Sequence, residues 1–139
     1  MQYTILPDHN PSAEDESVLM RGLSSHAWIA REQDLMQGFA FFIRDENGKV
    51  VGGVKGSTFY GCLYTDLLWV HNDLRGQSWG TQLMALAETI GRERNCTFAT
   101  VNTMDWEALP FYQKLGYQVE FIREGFRHNS KLYFLRKTI

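Results

Sequence analysis

The sequence has few cysteines, no excess of basic charge and no long apolar run, and each absence excludes a class of protein. The two cysteines, Cys62 and Cys96, lack metal-ligand spacing, so we expect buried free thiols, rather than a disulfide, and no bound metal. A net charge of −2 and a pI near 6.1 argue against a nucleic-acid partner. No apolar run approaches membrane-spanning length, and the N-terminus lacks the basic and apolar segments of a secretory signal. We therefore expect a cytoplasmic protein with no membrane partner.

What the 139 residues do contain is enough apolar character for a core, at 44%. We expect one domain over residues 1–139. Charge is unevenly spread along the chain. Up to Gly48 there are 3 basic and 8 acidic residues, and from Lys49 onward 11 basic and 8 acidic. The second part is therefore the one that favours an anion.

The first half of the chain predicts helix followed by an antiparallel meander. Residues 3–6 form an apolar run ended by proline, typical of an edge strand. Ser12 predicts a helix start, with the helix running to about residue 26 and a second short helix over 27–36. Strands are predicted over 38–44, 50–59 and 62–70. Asn47-Gly48 predicts a type I′ hairpin turn, and Gly52, Gly53 and Gly56 indicate a bulge or a close backbone approach.

The stretch 67–84 organises the rest of the chain. An apolar strand leads into a short polar loop with Arg75, Gly76 and Gly80, and then into the clearest amphipathic helix of the sequence. The first N–H groups of a helix have no internal partners and carry partial positive charge, so this loop can hold an anion. A strand over 98–101 completes a parallel crossover unit, followed by a short helix at 108–116 and strands over 117–121 and 131–136.

Two motifs in this half resemble the GNAT superfamily of acetyl-CoA-dependent N-acetyltransferases. Residues 70–81 (VHNDLRGQSWGT) are similar to the Arg/Gln-x-x-Gly-x-Gly/Ala pyrophosphate loop of that family, and residues 108–117 (ALPFYQKLGY) to its Ala-x-x-Phe-Tyr-x-x-x-Gly-Phe helix. The resemblance implies an α/β (α+β) fold with a mixed, mostly antiparallel sheet of six to seven strands and flanking helices. This chain departs from the family at Ser78, which replaces the middle glycine, and at Asp105, where many relatives have an asparagine.

The resemblance also implies the binding roles. The backbone of Leu68, Trp69 and Val70 would pair with the pantetheine arm of acetyl-CoA as an added strand does. The pyrophosphate would be held by the loop and first helical turn, namely Arg75, Gly76, Gln77, Ser78, Trp79, Gly80 and Thr81. Tyr112 matches the tyrosine of the family near the cofactor sulfur, as an acid for the thiolate or as a positioning group. A tyrosine beside a phenylalanine is otherwise typical of a core.

Asp66 is the leading candidate for a general base. A carboxylate inside an apolar strand is expected to be at least half-buried, and to face the cleft or be paired with a cation or loop backbone. Glu120, Glu124 and His128 are weaker alternatives, because polar residues of late strands and loops are usually solvated. His71 reads as a surface or capping residue, and the side chains of Trp69 and Trp79 as core.

These features predict an N-acetyltransferase that moves the acetyl group of acetyl-CoA to a primary amine by direct attack. A small-molecule amine is expected rather than a protein, and the family allows a homodimer. The alternative is a non-catalytic acyl-CoA-binding or interaction domain with the same fold. Ser78 in the loop and the lack of a second clear carboxylate motivate that alternative.

Overall fold

The first helix, α1 (Ala13–Arg31), begins at the residue that the sequence marks as its cap. The Ser12 hydroxyl accepts a hydrogen bond from the backbone N–H of Asp15 at 3.1 Å. The predicted break near residue 26 is wrong, because Ala27, Trp28 and Ile29 continue the helix without a breaker. Glu32 ends it in the left-handed conformation, with φ 53°. Residues 32–36 are not helical, so the predicted second helix is absent.

A computed structural model describes residues 2–139, which divide after Met36 into two compact units. Residues 2–36, the described part of the first unit, contain α1 and no strand. The strand predicted over residues 3–6 is wrong: Tyr3, Ile5 and Leu6 are exposed and in irregular structure. A strand this short is stable only when a neighbour pairs with it. No helix in residues 2–139 has the length and apolarity needed to span a bilayer.

The second unit is built on a six-stranded sheet of order β1-β2-β3-β4-β6-β5. Its strands are β1 (Gln37–Arg44), β2 (Val50–Phe59), β3 (Cys62–Val70), β4 (Phe98–Met104), β5 (Gln118–Arg123) and β6 (Leu132–Thr138). Only β3 and β4 pair in parallel. The sheet is therefore mixed and mostly antiparallel, as predicted.

The type I′ geometry predicted for the turn between β1 and β2 is found in the turn between β2 and β3 instead. At Asn47-Gly48 only Gly48 has positive φ, 79°, and Asp45 accepts N–H bonds through its side chain from Asn47 and Lys49, so the predicted type I′ turn is wrong there. The turn between β2 and β3 instead has positive φ at both Tyr60 and Gly61. That pair is the one required by a type I′ turn.

The sheet opens between β3 and β4. Their pairing covers only Cys62 to Thr65 against Phe98 to Val101, and β3 then continues to Val70 without β4. A register shift between β2 and β3 inserts Asp66 as an extra residue, as the glycines of β2 predict. A Cβ on Gly56 would lie 2.1 Å from the Tyr64 carbonyl oxygen, so the backbones approach closely at that bulge.

Two helices of the second unit complete its core. The helix α2 (Trp79–Glu93) links β3 to β4, ends before Asn95 in the predicted left-handed conformation and buries Met84 and Ala87. The helix α3 (Leu109–Lys114) carries proline in its first turn. The largest fully buried side chains are Tyr117, Leu63, Met84, Leu135, Val54 and Val101. Cys62 and Cys96 are buried free thiols, as predicted, and burial raises the pKa of both.

Candidate functional site

The loop between β3 and α2 is shaped by hydrogen bonds that its own residues form. His71 caps a 3₁₀ turn over Asn72–Leu74, where its Nδ1 accepts from the Asp73 N–H at 3.1 Å. This confirms the interpretation of His71 as a capping residue. Gln77 donates from Nε2 to the Asp73 carbonyl at 3.2 Å. These bonds fold the loop back on itself without using the N–H groups that follow.

Backbone N–H groups accumulate at the start of α2 without acceptors. Gly76 and Ser78 both have positive φ, 76° and 65°, and Ser78 is the residue before the first helical turn. No hydrogen bond found in residues 2–139 has the backbone N–H of any residue from Gly76 to Thr81 as its donor; the first helical bond runs from the Gln82 N–H to the Ser78 carbonyl. Successive unpaired N–H groups in such a turn form a concave site for an anion.

Arg75 adds a full positive charge beside these donors. Its Nε donates to the Val70 carbonyl at 3.4 Å, which ties the side chain to the end of β3. Within residues 2–139 its guanidinium forms no ion pair with a carboxylate, and the side chain is exposed. The remaining guanidinium donors are therefore available to a bound anion.

The open edge of β3 faces the gap left by β4. The His71 N–H donates to the Val51 carbonyl on the β2 side, so the polar groups of Val70 point the opposite way, and two residues earlier those of Leu68 do too. The Val70 carbonyl accepts the hydrogen bond from Arg75 Nε. The Val70 N–H and both polar groups of Leu68 remain as an unpaired strand edge that can accept an extended ligand.

A cleft of about 450 Å³ joins the strand edge to the loop. Nine residues predicted to bind the cofactor line it: Leu68, Trp69, Val70, Arg75, Gly76, Ser78, Trp79, Gly80 and Thr81. Gln77 and Tyr112 are not among the lining residues. Trp69 is 52% exposed and Trp79 is half-buried, so the prediction that both belong to the core is wrong. Both residues line the cleft instead.

Two further residues, Leu74 and Phe111, line the cleft and were missed. Phe111 lies in the second motif, and its ring carbons would be 3.3 and 3.4 Å from a Cβ on Gly80. The glycine therefore lets α3 approach α2 at the cleft. The motif carried this signal for Phe111, whereas Leu74 was hidden in a polar loop.

Tyr112 is 7% exposed and packs its ring edge to face against Phe111 and Tyr117, with ring centres 5.2 and 5.8 Å apart. Burial, followed by the nearby Glu107 carboxylate, raises the pKa of Tyr112 to about 12. Its hydroxyl forms no hydrogen bond within residues 2–139 and is not one of the fully enclosed polar atoms. The phenol is therefore a neutral donor at neutral pH with its oxygen still accessible.

Asp66 is exposed, which corrects the prediction that its carboxylate is half or fully buried. As the extra residue of the bulge it has no direct partner on β2, so its side chain leaves the apolar face. It forms no ion pair within residues 2–139, and its charge helps raise the pKa of Tyr64.

The alternative base candidates lie on later elements. Glu120 and Glu124 are paired with Arg136 and Lys131 at 3.6 and 3.5 Å. His128 lies in a short turn before β6.

Residues 6–117 match the model of a family described as the acetyltransferase (GNAT) family. The curated acetyltransferase Atu2258 of Agrobacterium fabrum is 40% identical over 75 residues, 54% of this chain and 55% of that protein. Blasticidin-S acetyltransferase of Streptomyces morookaense is 36% identical over 85 residues, 60% of this chain and 62% of that protein. The chain therefore spans less than two thirds of the length of these curated relatives.

The fold has a close counterpart among solved structures. A crystal structure described as that of an acetyltransferase from Agrobacterium tumefaciens has a TM-score of 0.81 and 28% sequence identity to this chain. The match covers 99% of this chain and 100% of that one.

Proposed function

The chain belongs to the GNAT family of acetyltransferases, and on that basis we propose that it transfers the acetyl group of acetyl-CoA to a primary amine. The observation that carries this proposal is the run of unpaired N–H groups from Gly76 to Thr81, next to Arg75, on the wall of the 450 Å³ cleft. A pyrophosphate satisfies such donors, since it offers several charged acceptor oxygens to one concave site.

The residues at the cleft fit the other parts of acetyl-CoA as well. The unpaired backbone groups of Leu68 and Val70 can form with the amide groups of a pantetheine arm the same hydrogen bonds that they would form with a neighbouring strand. When bound, acetyl-CoA supplies a thioester whose acyl carbon an amine can attack. Trp69 and Phe111 add two aromatic residues to the lining of the cleft.

Asp66 is proposed to take the proton of the incoming ammonium. An alkylammonium has a pKa of about 10.4, so at neutral pH nearly all of it carries the extra proton. An exposed carboxylate with no cation paired to it can accept that proton directly or through a water molecule. Its place at the β-bulge puts it on the strand that borders the cleft, two residues before Leu68.

Tyr112 is proposed to donate its hydroxyl proton to the departing thiolate or to position the thioester sulfur. A phenol with a pKa raised to about 12 stays protonated throughout the physiological range. Within residues 2–139 its hydroxyl has no hydrogen-bond acceptor, so none there competes for that proton.

A small molecule is the proposed acceptor. The similar protein from Streptomyces morookaense is named for acetylating blasticidin-S, a small molecule, which supports this class of substrate.

Release of the free CoA thiol tests the proposed function. The purified chain is mixed with acetyl-CoA and a broad panel of small primary amines, and the acetylated product is identified by mass spectrometry. We expect turnover with at least one amine, and turnover about tenfold lower in Arg75→Ala at the same sub-saturating acetyl-CoA concentration. Binding of acetyl-CoA without turnover across the panel would instead establish the non-catalytic alternative, and no binding at all would overturn both.

A further inference from the structure

Two aromatic side chains face each other across a glycine on the first three strands. Phe42 of β1 is paired with Gly53 of β2, and Gly53 with Trp69 of β3. Directly paired residues point to the same face of a sheet, and neighbouring strands lie about 4.8 Å apart. The Cα atoms of Phe42 and Trp69 are therefore separated by roughly 10 Å, two strand spacings, and the residue between them has no side chain of its own.

The glycine is required at the floor of this slot. A Cβ on Gly53 would lie 2.7 Å from the Phe41 carbonyl oxygen and 3.0 Å from Cδ1 of Phe42. Since real Cβ atoms do not approach a carbonyl so closely, any other residue would displace the strand or close the slot. Because Cδ1 of Phe42 lies this close, the Phe42 ring leans over Gly53, and the aromatic slot, defined by Phe42, Gly53, Leu67 and Trp69, is the space that remains between that ring and Trp69.

The aromatic slot has the volume of one ring. It is a solvent-open depression of about 170 Å³, and its lining is apolar apart from Lys55. An engineered apolar cavity of about 150 Å³ is large enough to bind benzene. Phe42, Leu67 and Trp69 are 56%, 60% and 52% exposed, so each gives apolar surface to this face that nothing in the second unit covers.

The slot and the cleft proposed to hold acetyl-CoA share the strand β3. Trp69 lines both of them, and Asp66 directly precedes Leu67 in the lining of the slot. The cations lie on the other two strands: Lys55 on β2, and Arg44 on β1 with its guanidinium 5.5 Å from the centre of the Phe42 ring. An ammonium group is therefore repelled from β1 and β2 and attracted towards β3.

We propose that the acceptor is an arylalkylamine, a flat aromatic or heteroaromatic ring carrying its primary amine on a short chain. The ring lies between Phe42 and Trp69 over Gly53, and the amine extends past Asp66 towards the cleft. A ring stacked between two aromatic side chains gains both buried apolar area and favourable ring contacts. This assignment rests on the proposed function and names its substrate class.

A pair of amines that differ in the ring tests the assignment. With 2-phenylethylamine as acceptor we expect a KM at least tenfold lower than with butylamine, at a similar kcat. In Phe42→Ala the KM for 2-phenylethylamine rises about tenfold, and the KM for butylamine and the Kd for acetyl-CoA stay within twofold. The matched control is Phe121→Ala, because Phe121 lies on β5, away from the slot, and its exposed fraction of 54% is similar to the 56% of Phe42. We expect this variant to leave both KM values unchanged.

Saturation-transfer NMR of the ring protons of 2-phenylethylamine, with no acetyl-CoA present, tests binding in the slot separately from the proposed acetyl transfer. Transfer in the wild type that is lost in Phe42→Ala supports the slot even if no amine is acetylated. Equal KM values for the two amines, or transfer that survives in Phe42→Ala, overturns the slot while leaving acetyl transfer standing. If Phe42→Ala instead dissociates a dimer in sedimentation and changes no KM, the face is a contact between copies and the assignment is wrong. Phe42→Leu, which keeps apolar volume but removes the ring, replaces Phe42→Ala if that variant does not fold.

Discussion

Ser78 holds the backbone in the left-handed region, with φ 65° and ψ 17°, at the position where the family motif has a glycine. A Cβ in that conformation costs about 1 kcal/mol or more, which is the physical reason that glycine is usual there. The Ser78 hydroxyl does not cap α2, so it is not used within the helix. Its position in the lining of the cleft leaves it free to donate to a bound pyrophosphate.

We predict that Ser78→Ala weakens acetyl-CoA binding about tenfold, or roughly 1.4 kcal/mol, because one hydrogen bond to a charged group is lost. Ser78→Gly loses the same bond but relieves the backbone, so its free energy of unfolding rises by up to about 1 kcal/mol. Titration calorimetry and urea unfolding measure the two effects. Tighter acetyl-CoA binding by Ser78→Gly than by the wild type would mean that the serine Cβ crowds the ligand.

Asp66 is exposed and Tyr112 is buried, and both have proposed roles in proton transfer during the same reaction. We predict that Asp66→Asn and Tyr112→Phe each lower kcat at least tenfold, because a proton acceptor or donor is removed. The Kd for acetyl-CoA should stay within about threefold in both. The control is Glu120→Gln, which breaks only a surface ion pair with Arg136 and should retain full activity. Full activity in Asp66→Asn together with a loss in Glu120→Gln would move the base to β5.

At the level of elements, the bulge between β2 and β3 shapes the cleft by adding Asp66 to one strand only. We predict that Gly56→Ala lowers the free energy of unfolding by about 3 kcal/mol or more, because the new Cβ would lie 2.1 Å from a carbonyl oxygen. The control is Gly38→Ala on β1, where the nearest atom is 3.8 Å away. Chemical denaturation compares the two. Equal stability would show that the bulge adjusts without cost.

The sequence predicts those elements that local chemistry determines and fails where a partner decides. The Ser12 cap, the strand–loop–helix at Arg75 and the left-handed Asn95 depend on near neighbours, and all three are found. The strand at residues 3–6 needed a pairing partner that it does not have. The turn type at Asn47-Gly48 was set by the Asp45 side chain, which offered a competing set of bonds.

In the candidate site, too, the sequence predicts the residues that depend on near neighbours and misses those that depend on distant partners. The loop residues of the cleft could be predicted because a short contiguous motif contains them. Phe111 and the aromatic slot could not, since they depend on how helices pack and on which residues of three strands are paired. Periodicity indicates a strand, but register between strands is settled only by the folded sheet.

At the scale of the whole molecule, the core of the second unit contains two phenols whose ionisation opposes folding. Burial raises the pKa of Tyr112 to about 12 and raises that of Tyr117 further still. A phenol in the unfolded chain has a pKa of about 10. Between these values the unfolded chain has lost protons that the folded chain keeps, so stability falls as pH rises from about 10 and is unaffected by these groups below it.

We predict that the free energy of unfolding decreases by roughly 2 kcal/mol per buried phenol between pH 10 and 12. The free energy of unfolding of Tyr112→Phe should decrease less than that of the wild type. Tyr60→Phe alters a side chain that is 45% exposed, so its free energy of unfolding should decrease as much as that of the wild type. Urea unfolding at a series of alkaline pH values measures this. Identical slopes in the wild type and Tyr112→Phe would show that the Tyr112 phenol ionises in the folded protein as readily as in water.

The residues from Lys49 onward contain the cleft and carry the surplus of basic charge, with 11 basic and 8 acidic side chains. That surplus favours an anionic ligand at the loop, and Arg75 places one unpaired cation beside the free N–H groups. Removing the pyrophosphate from the ligand should therefore have a larger effect on binding than removing any one side chain from the protein.

Titration calorimetry with acetyl-CoA and with S-acetylpantetheine, which lacks the pyrophosphate and the nucleotide, tests the proposed pyrophosphate site most directly. We predict that the wild type binds acetyl-CoA at least 100-fold more tightly, roughly 2.7 kcal/mol, and that Arg75→Ala reduces this ratio about tenfold by weakening acetyl-CoA alone. Equal affinities of the wild type for the two ligands, or a ratio that Arg75→Ala leaves unchanged, would contradict a pyrophosphate site at residues 75–81.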